Sequence, residues 1–129
     1  MILHCMKKTT WETRKNKEYW GKRNVDAEGF IHCSTVEYFW RVAPNFTDVE
    51  DELVLICLDE NKLEAEVRYE DGDNCGREYP HVYGMINNDE AFMASKKISS
   101  KLKFYYSAIR AVWDSAEWPE TTYWEGNVR

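Results

Sequence analysis

Apolar and polar positions alternate along this chain in short blocks whose period changes every few residues. Residues 2–6 form a brief apolar run of strand type. Thr9 and Thr10 offer an N-cap ahead of Trp11, with Glu12 or Thr13 in the first turn, and predict a short helix. Residues 15–28 are polar apart from Tyr19, Trp20 and Gly21 and read as a long loop of the lid or binding kind. A second compact strand is expected over 30–33. Ser34, three residues before Glu37, then gives a capping signature for a helix ending near Ala43, because Pro44 disfavours a helical residue before it. The near-continuous apolar run 53–58 predicts a central strand. Beyond it the pattern predicts a helical turn over 59–63, an edge strand over 65–69 and an acidic loop over 70–78. A strand over 79–86 follows, entered through Pro80 and turned at Gly84. In the tail, Ile98, Leu102, Tyr105, Tyr106, Ile109, Val112 and Trp113 recur at helical spacing until Pro119. Short strands and helices without a repeated βαβ period predict the α+β class.

Length and composition narrow the setting. A chain of 129 residues predicts one domain able to bury its own core. No apolar run approaches the ~20 residues that cross a bilayer, and Met1 is followed by neither a basic nor a long apolar segment. A cytoplasmic protein without membrane contact is expected. The net charge of −6 argues against nucleic acid as a partner, since phosphate backbones demand clustered cations. A single small basic pocket remains compatible with it. Cys5, Cys33, Cys57 and Cys75 contain no C-x-x-C pair, so reduced thiols are expected, three buried and Cys75 in a polar loop.

The three histidines all fall in strand-like runs, where side chains alternate faces. His4 therefore points with Ile2 and Met6, His32 with Phe30 and Ser34, and His81 with Tyr79 and Tyr83. The neighbouring Cys5 and Cys33 point the other way, so the adjacent His-Cys pairs are not ready-made nucleophilic dyads. Three readings stay open: packed histidines bonded to backbone carbonyls, a three-histidine metal site without the usual ligand spacing, or a polar cleft with imidazoles between aromatic walls. Glu64/Glu66 and Asp71/Asp73 read as solvated carboxylates. Arg68 and Arg77 could each hold a phosphate bidentately or form surface ion pairs. The glycines make no phosphate-cradling loop.

The order of these motifs resembles a known family. Ile2-Leu3-His4, Thr9-x-Trp11-Glu12, the run Glu28-Gly29-Phe30-Ile31-His32-Cys33-Ser34-Thr35, Leu53-Val54-Leu55 and Pro80-His81-Val82-Tyr83-Gly84 together resemble the bacterial domain-of-unknown-function family 952. The likeness covers roughly residues 1–90 of a single domain spanning 1–129, leaving a mainly helical extension over about 91–129. It implies a split, mostly antiparallel β-sheet with short flanking helices, similar to the ADP-ribosyltransferase superfamily, whose central cleft binds NAD.

That resemblance implies roles as well. His4 matches the first-strand residue that holds a ribose, and His32, Ser34 and Thr35 match the cleft-lining second-strand motif. The third motif, around His81, Val82 and Tyr83, lacks the Glu that usually stabilises positive charge on the ribose. This departure resembles the RNA 2′-phosphotransferase branch, which uses a His and several Arg; Arg23, Arg68 and Arg77 are the substitutes on offer. The implied site has His32 and His4 as catalytic residues, His4, His32, Ser34, Thr35, His81 and Tyr83 around NAD, and no metal. The expected function is an NAD-dependent transferase of the ADP-ribosyl or 2′-phosphate type. A non-catalytic pocket for a nucleotide or small metabolite is the alternative, and a purely structural role for the histidines a third. Trp113, Trp118 and Trp124 in the extension would favour a homodimer face.

Overall fold

The run 53–58 organises the molecule as its pattern predicts. A computed structural model describes residues 1–42, 52–98 and 121–124. In it β4 (Leu53–Leu58) is buried at all six positions, because it lies between two neighbours and covers apolar side chains on both faces. It pairs antiparallel with β1 (Ile2–Lys7) on one side and with β8 (Phe92–Ile98) on the other. β8 in turn pairs parallel with β9 (Thr121–Trp124). A three-stranded antiparallel sheet holds β6 (Tyr79–Tyr83) between β3 (Ile31–His32) and β5 (Glu66–Glu70). A small ribbon joins β2 (Tyr19–Trp20) to β7 (Ile86–Asn87). The described residues thus make an α+β fold of mostly antiparallel sheets with few, short helices.

The helices are α1 (Lys8–Arg14), α2 (Lys22–Glu28), α3 (Phe39–Val42) and α4 (Asn88–Ala91), with a 3₁₀ turn at Glu60–Lys62. The core lies between the sheets and α1. Ile2, Met6, Val54, Ile56 and Leu58 meet Trp11, Trp20, Ile31, Val82 and Ile86 there. Trp11 and Trp20 meet edge to face with ring centroids 6.0 Å apart. Asn88, itself buried, fastens the ribbon to the body: it accepts from Trp20 Nε1 at 3.3 Å and donates to the Lys15 carbonyl at 2.8 Å.

Several expectations need correction. Residues 15–28 are not one long loop, since they contain β2 and α2. Helix α2 buries none of its residues, so no apolar period betrays it; Gly21 (φ 103°) and Gly29 (φ 88°) bound it, and Lys22 reaches Asp26 at 2.7 Å. α1 starts at Lys8 rather than at a threonine cap. Ser34 does not cap the next helix; its backbone is committed to a bridge with Leu3, and Thr35 Oγ1 instead accepts the Tyr38 N–H at 3.2 Å. The extension is not helical at its start, because residues 92–98 form β8. Paired against β4, the Ser95 and Lys96 positions are buried despite their polarity, beside apolar Ala94. Most of the helical repeat beyond Ile98, with Trp113 and Trp118 of the expected dimer face, lies outside the described residues. The cysteines follow expectation except at Cys5: Cys33 and Cys57 are buried and Cys75 is exposed, but Cys5 is only half-buried.

Candidate functional site

The cleft originates in a change of partner. β3 pairs with β6, and the Cys33 N–H still reaches the Pro80 carbonyl at 3.0 Å. One residue later Ser34 turns to the other sheet and exchanges two 2.8 Å backbone hydrogen bonds with Leu3 of β1. Where the two ladders part, a cleft of about 870 Å³ opens, and all three histidines line it. Phe30 and Tyr79 give it aromatic walls, Ser34 stands at the junction, and Arg41, Glu70 and Arg77 add charge.

His4 is 8% exposed and lies on the core face of β1, its ring centroid 5.6 Å from that of Trp20. Nδ1 lies 2.6 Å from the His32 carbonyl oxygen. A carbonyl only accepts, so Nδ1 carries the proton and Nε2 keeps its lone pair. Burial pushes the imidazole pKa from 6.5 down to about 4, overcoming the opposing effect of that hydrogen bond, so His4 is neutral at physiological pH. Ser34 is 3% exposed; its backbone is engaged in the bridge, and no described residue takes up its hydroxyl. Because Ser34 pairs with Leu3, its side chain lies on the Leu3 and Cys5 face of β1, whereas the His4 ring lies on the other face against Trp20.

The other two imidazoles lie on the face that Ser34 shares. His32 and His81 are register partners across β3 and β6, with ring centroids 5.2 Å apart. His32 is largely exposed, and its Nε2 meets Glu28 at 2.6 Å. His81 is buried and stacks on Phe30 with centroids 4.0 Å apart and planes 17° off parallel. Its Nδ1 lies 2.9 Å from Glu70 Oε1, and the Tyr83 hydroxyl donates to the same oxygen at 2.5 Å. Those bonds, Tyr83 first and His81 second, hold the Glu70 carboxyl below the usual range, and the same contact pushes the Tyr83 phenol up.

Not every residue implied by the family pattern reaches the cleft. His4, His32, Ser34 and His81 line it; Thr35 serves the turn before α3, and Tyr83 stands behind His81 as a partner of Glu70. Of the arginines, Arg77 lines the cleft. Arg68 forks onto Glu66 (2.6 and 3.2 Å) and lies 4.4 Å over the Tyr83 ring, while Arg23 faces a separate cavity with Arg14 and Lys17. Asp71 is used locally, accepting the Cys75 and Gly76 N–H groups at 2.9 and 2.8 Å. Among the described residues no three His, Cys, Asp or Glu side chains converge as metal ligands. Sequence reasoning missed Glu70 and Arg41. For Glu70 a signal existed: Glu66, Arg68 and Glu70 alternate on one strand face, and β5 is the neighbour of the strand bearing His81.

Fold and site together define an α+β protein with its sheet system split around a histidine-lined cleft. Residues 5–94 match the family described as "Protein of unknown function (DUF952)", and the chain belongs to that family. The fold is similar to that in the crystal structure of protein CC0527 from Caulobacter crescentus, with a TM-score of 0.63 and 23% identity over 74% of this chain and 83% of that one. A double mutant of the same Caulobacter crescentus protein gives a TM-score of 0.63 at 22% identity, with the same coverage of both chains. At this identity the likeness concerns the fold. No curated protein matches the chain. Among the described residues no helix is long and apolar enough to cross a membrane.

Proposed function

We propose that the cleft binds NAD as a substrate and that the protein is an NAD-dependent transferase with an ADP-ribosyltransferase-like fold, moving an ADP-ribosyl group or removing a 2′-phosphate. The observation carrying this is Ser34, which lines the cleft at the sheet junction more than nine-tenths buried, on the face that carries His32 and His81, and whose hydroxyl no described residue takes up. Buried polar atoms are ordinarily bonded, so this unbonded hydroxyl suits a ligand's polar group, such as a ribose hydroxyl. The residues present fit the rest of the molecule. Phe30 and Tyr79 offer ring faces, Arg77 and Arg41 suit a diphosphate, and the volume is that of a small-molecule site. Breaking the nicotinamide–ribose bond places positive charge on the ribose, which fixed dipoles lining the cleft would stabilise. The proposal sets the protein in the cytoplasm, where four free thiols suit the reducing milieu.

A second reading is a non-catalytic pocket for a nucleotide or small metabolite. It is favoured by the bonding of Glu70 to His81 and Tyr83, which leaves this carboxylate engaged rather than facing a developing charge. Calorimetric titration of NAD into the wild type, Ser34→Ala and His32→Ala, with nicotinamide release measured alongside, tests both. Ser34→Ala keeps the backbone bridge and is expected to weaken binding about tenfold, the worth of one hydrogen bond of about 1.4 kcal/mol. A transferase loses turnover more than affinity in His32→Ala, and a binding module the reverse. A wild type that binds no NAD overturns the first reading.

A further inference from the structure

The His81 wall is built more elaborately than ligand binding requires. An ionised carboxylate only accepts hydrogen bonds, so its contact with Glu70 fixes the Nδ1–H tautomer of His81 and leaves Nε2 with its lone pair. Tyr83 anchors the same carboxylate oxygen, and Phe30 holds the ring plane by stacking. No described residue takes up Nε2. The neighbouring strands present Glu70, Arg68 and, when protonated, His32 to the ring, and Arg41, Asp73 and Arg77 line the same cleft; Arg68 is itself forked onto Glu66.

The other two histidines lack this arrangement. His4 has a main-chain carbonyl behind Nδ1, which cannot balance an imidazolium as a carboxylate does, and burial opposes its protonation. His32 uses Nε2 itself for Glu28, in a pair with both side chains more than half exposed and open to solvent screening. Only at His81, among the described residues, does a sheltered imidazole have a carboxylate behind one nitrogen and the cleft for the other. A base oriented by a third group in this way is the general design of proton-abstracting sites.

We infer that His81 is the proton acceptor of the cleft, that Glu70 is its positioning residue, and that the group accepting the transferred ADP-ribosyl unit is accordingly a hydroxyl. The inference rests on the NAD reading of the same site. In the step, the acceptor O–H proton passes to His81 Nε2 while the oxygen's electron pair forms the new bond to the ribose carbon. The electrons of the broken carbon–nitrogen bond leave with neutral nicotinamide. The imidazolium is balanced by Glu70 until it returns its proton to water.

The test uses the full chain and NAD alone, with water as the hydroxyl acceptor. Nicotinamide release gives kcat and KM, and ¹⁵N NMR of labelled protein reads the His81 tautomer. Glu70→Gln is expected to lower kcat about 100-fold while KM stays within about threefold, the pattern of a lost proton-transfer aid. Glu70→Asp should recover part of that loss, and Glu70→Gln combined with His81→Ala should be no slower than His81→Ala alone. The wild-type spectrum should show Nδ1 protonated and Nε2 bare, which also holds the inference to account if His81→Ala fails to fold. Wild-type kcat in Glu70→Gln, a change confined to KM, or an Nε2-protonated tautomer overturns the inference and leaves the NAD reading standing. NAD that neither binds nor is cleaved overturns both.

Discussion

Lowering the pH should destabilise this protein through His4 well before its carboxylates matter. The folded imidazole pKa is about 4 against 6.5 for the free side chain, chiefly from burial. The native state therefore binds fewer protons than the unfolded state between these values, and stability falls as pH falls through that window. The sign is that of a histidine buried neutral: the contribution is intact above 6.5 and its loss is complete below about 4. At about 1.4 kcal/mol per unit of pKa difference, the loss is about 2 kcal/mol between roughly pH 7 and pH 5 and about 3 kcal/mol by roughly pH 4. Carboxylates held low in the fold, Glu70 and Asp71 among them, give up their contributions only as pH drops below their unfolded values, so the upper window reports on imidazole. The assay is urea denaturation at closely spaced pH values on the wild type and His4→Asn, whose amide can still donate to the His32 carbonyl but does not titrate. The variant should be less stable near neutrality, having lost the ring against Trp20, yet its stability should fall about 2 kcal/mol less over the upper window. Parallel curves for the two proteins would refute the argument, and with it the neutral state of His4.

Other outcomes follow from packing and exposure. Gly21→Ala should cost about 2 kcal/mol or more by urea midpoint, because the added Cβ would sit 2.3 Å from Ile31 Cδ1 as well as at φ 103°. Gly29→Ala, at φ 88° with nothing within 4 Å of the added carbon, should cost only about 1 kcal/mol, and equal losses would remove the close approach as a cause. Asn88→Ala should lose about 2–3 kcal/mol, since it strands the Trp20 N–H and the Lys15 carbonyl; a loss under about 0.5 kcal/mol would show that water replaces both bonds. With a thiol reagent near neutral pH, the exposed Cys75 should react fast, whereas burial pushes the Cys5 and Cys57 thiols up to about 12 and Cys33 higher still. More than one fast thiol would contradict this.

What the sequence reveals here follows from periodicity. The faces of β1, β3 and β6 are legible because alternation leaves one orientation for His4, His32 and His81 once Ile2, Met6 and Tyr79 are placed. β4 is legible because only a doubly covered strand tolerates six apolar residues in a row. α2 has no apolar stripe, since its register is set by the glycines at its ends, so its polar residues look like loop. β8 carries Ser95, Lys96 and Lys97 in succession, and only pairing with β4 makes that run a buried strand. Glu70 borders an acidic loop, and its role comes from a neighbour eleven positions away in sequence and one strand away in space. Long-range pairing of this kind leaves no mark in local composition.

Ser34 divides its labour in a way that bears on how such a cleft can diversify. Its main-chain N–H and carbonyl join the two sheets, and the residue lines the cleft. Point mutation alters only the second of these. A different small side chain there would change what the pocket greets while leaving the joint intact, so specificity can drift at the very residue that holds the architecture together.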